Sequence, residues 1–252
     1  MAESFGAGAE LYDRARPRYP DVLIDAVVTA APGRDFLDVG CGTGILSRQF
    51  QAAGCEVLGV DVDERMAEFA RATGVEVEVS PFETWDAAGR TFDAVVAGMT
   101  WHWIDPNAGA AKAAEALRPG GRLAAFWYVL QPPGELGEAF AAVYRDVLPD
   151  SVVSPRVAAS PRGAYERFID RAAEGLSSTG AFGDLERPVF PWSRPYTRDE
   201  WLDQIRTGGN AQQLADSGKL EAVLDGIGAA VDAAGGSFTL DSTAVALTAT
   251  RI

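Results

Sequence analysis

Along the first half of the chain, short apolar runs closed by glycine or aspartate alternate with stretches whose apolar residues recur at helical spacing. Residues 21–31 follow a helical pattern that Pro32-Gly33 stops, and Asp35 to Gly40 reads as a short buried strand running into a glycine turn. The pattern then predicts a helix over 44–53 ended by Gly54, and a strand over 56–60 closed by Asp61. A helix over 63–72 runs up to Gly74, followed by an alternating strand over 75–79 and a fourth strand over 91–97. An alanine-rich helix over 107–117 ends at Pro119-Gly120-Gly121, and 122–127 forms a fifth strand. Strands and helices that alternate with short connections predict a parallel, doubly wound sheet.

The pattern changes after Gln131-Pro132-Pro133-Gly134. Residues 135–148 and 163–176 predict helices separated by a Pro/Ser-containing stretch, and 185–192 a sixth strand. Thr197, with Glu200 three residues later, has the form of a capping box opening a helix. Residues 211–234 read as mostly helical, and 242–251 as a last strand. The expectation is one domain over 1–252, its sheet continuing to the last residues, with a helical cap inserted over 130–182.

The chain's 252 residues suit one large core. Lys plus Arg number 22 against 36 Asp plus Glu, a net charge of −14, so a phosphate backbone would be repelled and nucleic acid is not expected as a partner. Two cysteines and a single histidine, His102, cannot supply a structural zinc site, so no metal is expected. They exclude a disulfide scaffold as well, and a reducing cytoplasm is the expected location. The first twenty residues lack the order of a secretory leader, and no apolar run is long enough for a membrane span.

The candidate chemistry begins at Leu37-Asp38-Val39-Gly40-Cys41-Gly42-Thr43-Gly44. Glycines there allow positive φ and close approach of a ligand to the main chain, and the helix that follows presents free N–H groups. Asp61 closes the next strand about twenty residues on, the place of a carboxylate that accepts from ribose hydroxyls. The glycine spacing is GxGxG, not the GxGxxG of a dinucleotide site, and the stretch has no GK[ST] for a triphosphate.

These residues resemble motif I and the ribose-binding acidic position of the class I S-adenosylmethionine-dependent methyltransferases, and Leu117-Arg118-Pro119-Gly120-Gly121 resembles the turn before their fifth strand. The resemblance covers about residues 10–128. It implies a Rossmann-like α/β fold, seven strands in the order 3-2-1-4-5-7-6 with strand seven antiparallel, and S-adenosyl-L-methionine as cofactor. Tyr12-Asp13-Arg14-Ala15-Arg16-Pro17-Arg18-Tyr19-Pro20 and Trp101-His102-Trp103 narrow it to the methyltransferase-11-like group that includes trans-aconitate-type small-molecule enzymes.

By that resemblance Gly40, Cys41 and Gly42 meet the methionyl part of the cofactor through backbone groups, beside Asp61 on the ribose. Val62 and Met66 either flank the adenine or pack as a helix face, and Phe82 and Glu83 stand where the family caps adenine. Tyr12 and Arg18 belong to a segment that folds over the cofactor, where Arg16 is a third candidate; the alternative is a solvated basic turn. Gly98 starts a loop at the end of strand four that should face the methyl group. In that loop Trp101 and Trp103 either line the substrate pocket or pack in the core. His102 is either a general base or a structural histidine between them. Trp192, Arg194, Tyr196 and Trp201 have the same two readings, pocket or packing. The expected reaction is in-line methyl transfer to an oxygen, nitrogen or carboxylate nucleophile of a small molecule. The alternatives are a protein- or RNA-directed enzyme of the same fold and a cofactor-binding module without catalysis.

Overall fold

The computed structural model describes residues 8–149 and 161–252, with the backbone alone over 161–164. The start of the segment read for a leader, and most of the Pro/Ser stretch, fall outside these residues. Seven strands form one sheet: β1 (Asp35–Val39), β2 (Glu56–Asp61), β3 (Glu76–Val79), β4 (Phe92–Gly98), β5 (Leu117–Gln131), β6 (Val189–Thr197) and β7 (Ser237–Thr250). Their order is β3-β2-β1-β4-β5-β7-β6, with β1 to β5 paired in parallel and β7 antiparallel to both of its neighbours.

The inner strands are apolar almost end to end because helices cover both faces. Alternate residues of each strand serve opposite faces. Phe36, Ala94, Val96, Ala124 and Phe126 pack with α2 (Asp21–Ala30) and α3 (Ile45–Ala52), through Leu23, Ile24, Val27, Leu46 and Phe50. Leu37, Val39, Val95, Ala97, Leu123 and Trp127 pack with α5 (Pro106–Ala116) and α7 (Pro161–Thr179), through Ala110, Ala113, Ile169 and Leu176. Each large side chain buried this way contributes about 1.5–3 kcal/mol. Helix α4 (Glu64–Ala72) covers the β2–β3 edge, its Ala67 and Ala70 against Val75 and Val77. A separate core joins α6 (Gly134–Val147), α8 (Arg198–Arg206), α9 (Ala211–Asp216) and α10 (Leu220–Ala233) to Tyr196 and Leu240. The two helices of 130–182 therefore lean on different neighbours, α6 on α10 and α7 on α5.

Five elements differ from the sequence expectation, among them β7, which begins at Ser237, five residues before the expected start. β5 extends to Gln131 because every residue from Arg122 onward finds a partner on β7. β6 lies later than expected, over Val189–Thr197, and contains Pro191 and Pro195; as the edge strand it tolerates their missing N–H donors. The helical stretch 211–234 is two helices, divided at Ser217-Gly218 where Gly218 has φ +69°. A seven-residue helix, α1 (Ala9–Ala15), precedes α2 without a side-chain N-cap and is held by tertiary contacts. The capping box at Thr197 and Glu200 forms as expected, in both directions. Among the described residues no helix is long and apolar enough to cross a membrane.

Strand order reverses between β1 and β4, and a doubly wound sheet opens its crevice at the carboxyl ends of the strands beside such a switch point.

Candidate functional site

A cleft of about 830 Å³, counted out to its open mouth, occupies that position. Its wall comes from the carboxyl ends of β1 to β4 in turn: Val39, Gly40 and Gly42 at β1, Asp61 and Val62 at β2, Phe82 and Glu83 after β3, Met99, Thr100 and Trp103 after β4. Tyr12 of α1 and Met66 of α4 close the sides.

The turn after β1 is folded back onto β2. The backbone N–H groups of Gly40 and Cys41 both donate to the Val60 carbonyl, at 2.7 and 3.2 Å. Gly40 (φ +65°) and Gly42 (φ +55°) occupy the left-handed region. A Cβ on Gly40 would stand 2.0 Å from Cγ2 of Thr100, whose hydroxyl donates to the Gly40 carbonyl at 3.1 Å. A Cβ on Gly42 would meet nothing within 4 Å, since that residue faces the cleft. The Gly42 N–H gives its hydrogen bond to Oδ2 of Asp61 at 2.7 Å, and Asp61 Oδ1 accepts from Asp63 N–H at 2.9 Å. Burial raises the Asp61 carboxyl above its ordinary range against the pull of those two bonds.

Behind the turn, Asp38 is buried with one oxygen, Oδ2, accepting from the Ser47 hydroxyl at 2.6 Å and the other without a hydrogen-bond partner. Its carboxyl is pushed up to about 7, chiefly by burial. The open face at Gly42 and the lone pairs Asp61 keeps on each oxygen suit a nucleoside ligand.

Tyr12 reaches the cleft because α1 is tied across the molecule. Asp13 pairs with Arg48 of α3, and Arg14 with Asp203 of α8 at 3.1 Å. On the facing wall Glu83 Oε1 accepts from the Asp105 N–H at 3.0 Å, joining the loops after β3 and β4.

Of the residues singled out in the sequence, Tyr12, Gly40, Gly42, Asp61, Val62, Met66, Phe82, Glu83 and Trp103 come together on the cleft wall. Arg16, Trp192, Arg194, Tyr196 and Trp201 do not line it, Tyr196 and Trp201 being packed in the core with α10, and neither do five others. Arg18 is exposed and lies 3.9 Å from Asp13. The Cys41 thiol packs beneath Gly59, against Ala67, Ala70 and Val77, and burial pushes its pKa up. Gly98 abuts the Tyr19 hydroxyl, which a Cβ there would meet at 2.4 Å. Trp101 is 2% exposed, within the core beside Phe82, whereas Trp103 is 44% exposed. His102 stacks on Phe168 with ring centroids 4.8 Å apart; its Nδ1 accepts from the Trp127 indole N–H at 3.2 Å, and burial lowers its pKa to about 4. Asp38, in the glycine-turn motif, and Met99 and Thr100, in the loop after β4, lie in segments the sequence singled out, without a role of their own there. Met99 carries a signal visible only in the structure, a φ of +56° on a non-glycine residue at the end of β4.

Comparison with known proteins agrees with this geometry. Residues 36–121, from β1 to the turn within β5, match the family described as Methyltransferase domain. An uncharacterised methyltransferase of Mycobacterium tuberculosis is 36% identical over 129 residues, 50% of this chain and only 53% of that protein. The malonyl-[acyl-carrier protein] O-methyltransferase of Hahella chejuensis is 31% identical over 212 residues, 75% of this chain and 76% of that one. A putative type II methyltransferase from Anaeromyxobacter dehalogenans shares the fold at a TM-score of 0.65, with 22% identity, over 94% of this chain and 97% of that chain. The glycine turn and Asp61 lie inside the family match, and the Hahella similarity carries it across most of both proteins; the chain belongs to the class I S-adenosylmethionine-dependent methyltransferases.

Proposed function

We propose that this chain transfers a methyl group from S-adenosylmethionine to an oxygen nucleophile on a small molecule. The observation that carries the reading is Asp61 at the end of β2, joined to the glycine turn through the Gly42 N–H while each carboxylate oxygen keeps a lone pair for a ribose hydroxyl. Val62, Met66 and Phe82 supply the apolar wall for an adenine, and Gly42 the open polar end for a methionyl group. The oxygen nucleophile follows the Hahella relative, whose name states O-methylation of malonyl-[acyl-carrier protein]. A small free acceptor, as opposed to a carrier-bound one, is our reading of a cleft lined by Tyr12 and Trp103.

The bound cofactor supplies a methyl already made electrophilic by its sulfonium. The chain's own task is to align the acceptor and keep water out. Met99, Thr100 and Trp103 at the end of β4 form the wall on the acceptor side. Proton removal by His102 is the weaker reading, because its Nδ1 is engaged by Trp127 and its pKa is low. An acceptor that arrives ionised needs no base. Release of S-adenosylhomocysteine over a panel of small carboxylic acids, phenols and amines tests the proposal. At least one oxygen acceptor is expected to raise release roughly tenfold or more above background. Cofactor binding without stimulation by any of them would reduce the chain to a binding module.

A further inference from the structure

Arg16 lies in the segment that places Tyr12 in the cleft, and cofactor binding as described above leaves it unused. Its neighbours Arg14 and Arg18 are exposed and face carboxylates, Asp203 and Asp13. Arg16 turns inward. Its Nη2 donates to the Thr207 carbonyl, and its Nη1 to the Gln204 amide oxygen at 3.1 Å in the amide orientation that also lets Gln204 donate to the Ala15 carbonyl. The guanidinium covers the Tyr12 ring at 4.7 Å and adjoins Tyr128 of β5 and Tyr165 of α7. Its Nε is buried and has no hydrogen-bond partner.

No carboxylate among the described residues lies within ion-pair distance of Arg16; the titratable groups that act on it are tyrosines. Burial holds Tyr128 and Tyr165 above the ordinary phenol range, so they remain neutral and do not balance the charge. Burying a cation without an anion is costly, and the arrangement makes chemical sense when a ligand brings the anion. Tyr12 lines the cleft, and Met99, another wall residue, takes the Tyr128 backbone N–H on its sulfur at 3.2 Å. Arg16 thus sits one side chain away from the acceptor end of the cleft.

We infer that Arg16 is the anion-binding residue of the acceptor site and that the methyl acceptor carries a carboxylate, which the guanidinium receives inside the cage of Tyr12, Tyr128 and Tyr165. The inference rests on the methyl-transfer reading and specifies its substrate class. A carboxylate also ends the methionyl arm of the cofactor. The acceptor is the source favoured here because, Tyr12 of α1 apart, the partners of Arg16 come from β5, α7, α8 and the residue after α8, and none from the glycine turn.

The test uses S-adenosylhomocysteine-saturated full-length protein titrated with glutarate and 3-phenylpropionate, each against its neutral amide. Wild type is expected to prefer the acids, and Arg16→Gln to lose that preference by about tenfold or more. Arg16→Lys, which keeps the charge and not the fork, is expected to fall between them and keeps the comparison usable if Arg16→Gln fails to fold. Affinities for S-adenosylhomocysteine and 5′-methylthioadenosine, which lacks the amino-acid arm, are expected to stay unchanged in both variants. Equal binding of acids and amides by wild type, or no binding of either acid, overturns the inference. So does a loss of S-adenosylhomocysteine affinity with 5′-methylthioadenosine unaffected, which assigns the carboxylate to the cofactor. Failure of wild type to bind S-adenosylhomocysteine shows in the first titration and overturns the methyl-transfer reading itself.

Discussion

The Nδ1 atom of His102 accepts the indole N–H of Trp127 at 3.2 Å, which leaves the neutral ring its single proton on Nε2. A ring in that tautomer, stacked on Phe168 and shifted to a pKa of about 4, is a poor proton acceptor toward the cleft. His102→Asn keeps an acceptor for the indole. Its kcat is expected to remain within about threefold of wild type, whereas loss of a general base costs about 10²–10⁴-fold. Steady-state kinetics on the identified acceptor decides between these outcomes.

Asp38 makes stability depend on pH. Its carboxyl titrates near 7 in the folded protein and near the usual value of about 3.9 when unfolded. Between those values the native state holds a proton that the unfolded state lacks, so this contribution is full at low pH and is lost as pH rises through 7. Asp38→Asn keeps the neutral form at every pH. The melting temperature of the variant relative to wild type is expected to climb between about pH 5 and pH 8 and then level off. A constant difference across that range would mean that Asp38 is ionised throughout.

Two glycines of one turn should respond differently. At Gly40 a methyl group combines φ +65° with an approach of 2.0 Å to Thr100, so Gly40→Ala is expected to destabilise the fold by about 2 kcal/mol or more. At Gly42 only the backbone angle of +55° opposes the change, at about 1 kcal/mol, and the methyl enters the cleft. Gly42→Ala is expected to melt within a few degrees of wild type yet to bind S-adenosylhomocysteine at least about tenfold more weakly. Thermal melts and calorimetry on the two proteins separate fold from binding.

What the sequence disclosed is local. A GxGxG turn and an aspartate closing the next strand are read within a few residues of each other, and the apolar runs of β1 and β4 specify a sheet covered on both faces. Cys41 shows where spacing fails: its N–H bonds to the Val60 carbonyl and its thiol packs under Gly59, a division of the turn that only the folded backbone makes. Trp101 and Trp103, two residues apart in a single 3₁₀ turn, receive opposite environments for the same reason. In the sequence Arg16 is either one of three contacts in a segment over the cofactor or part of a solvated basic turn. Its meaning depends on Tyr128, Tyr165 and Thr207, which are distant in sequence.

Titration of S-adenosylhomocysteine into wild-type protein and Asp61→Ala tests the central claim most directly. Wild type is expected to bind, and the variant, without its acceptor for the ribose hydroxyls, to bind about ten- to a hundredfold more weakly while remaining folded. No heat with wild type at millimolar ligand, or equal affinity in the two proteins, would contradict it.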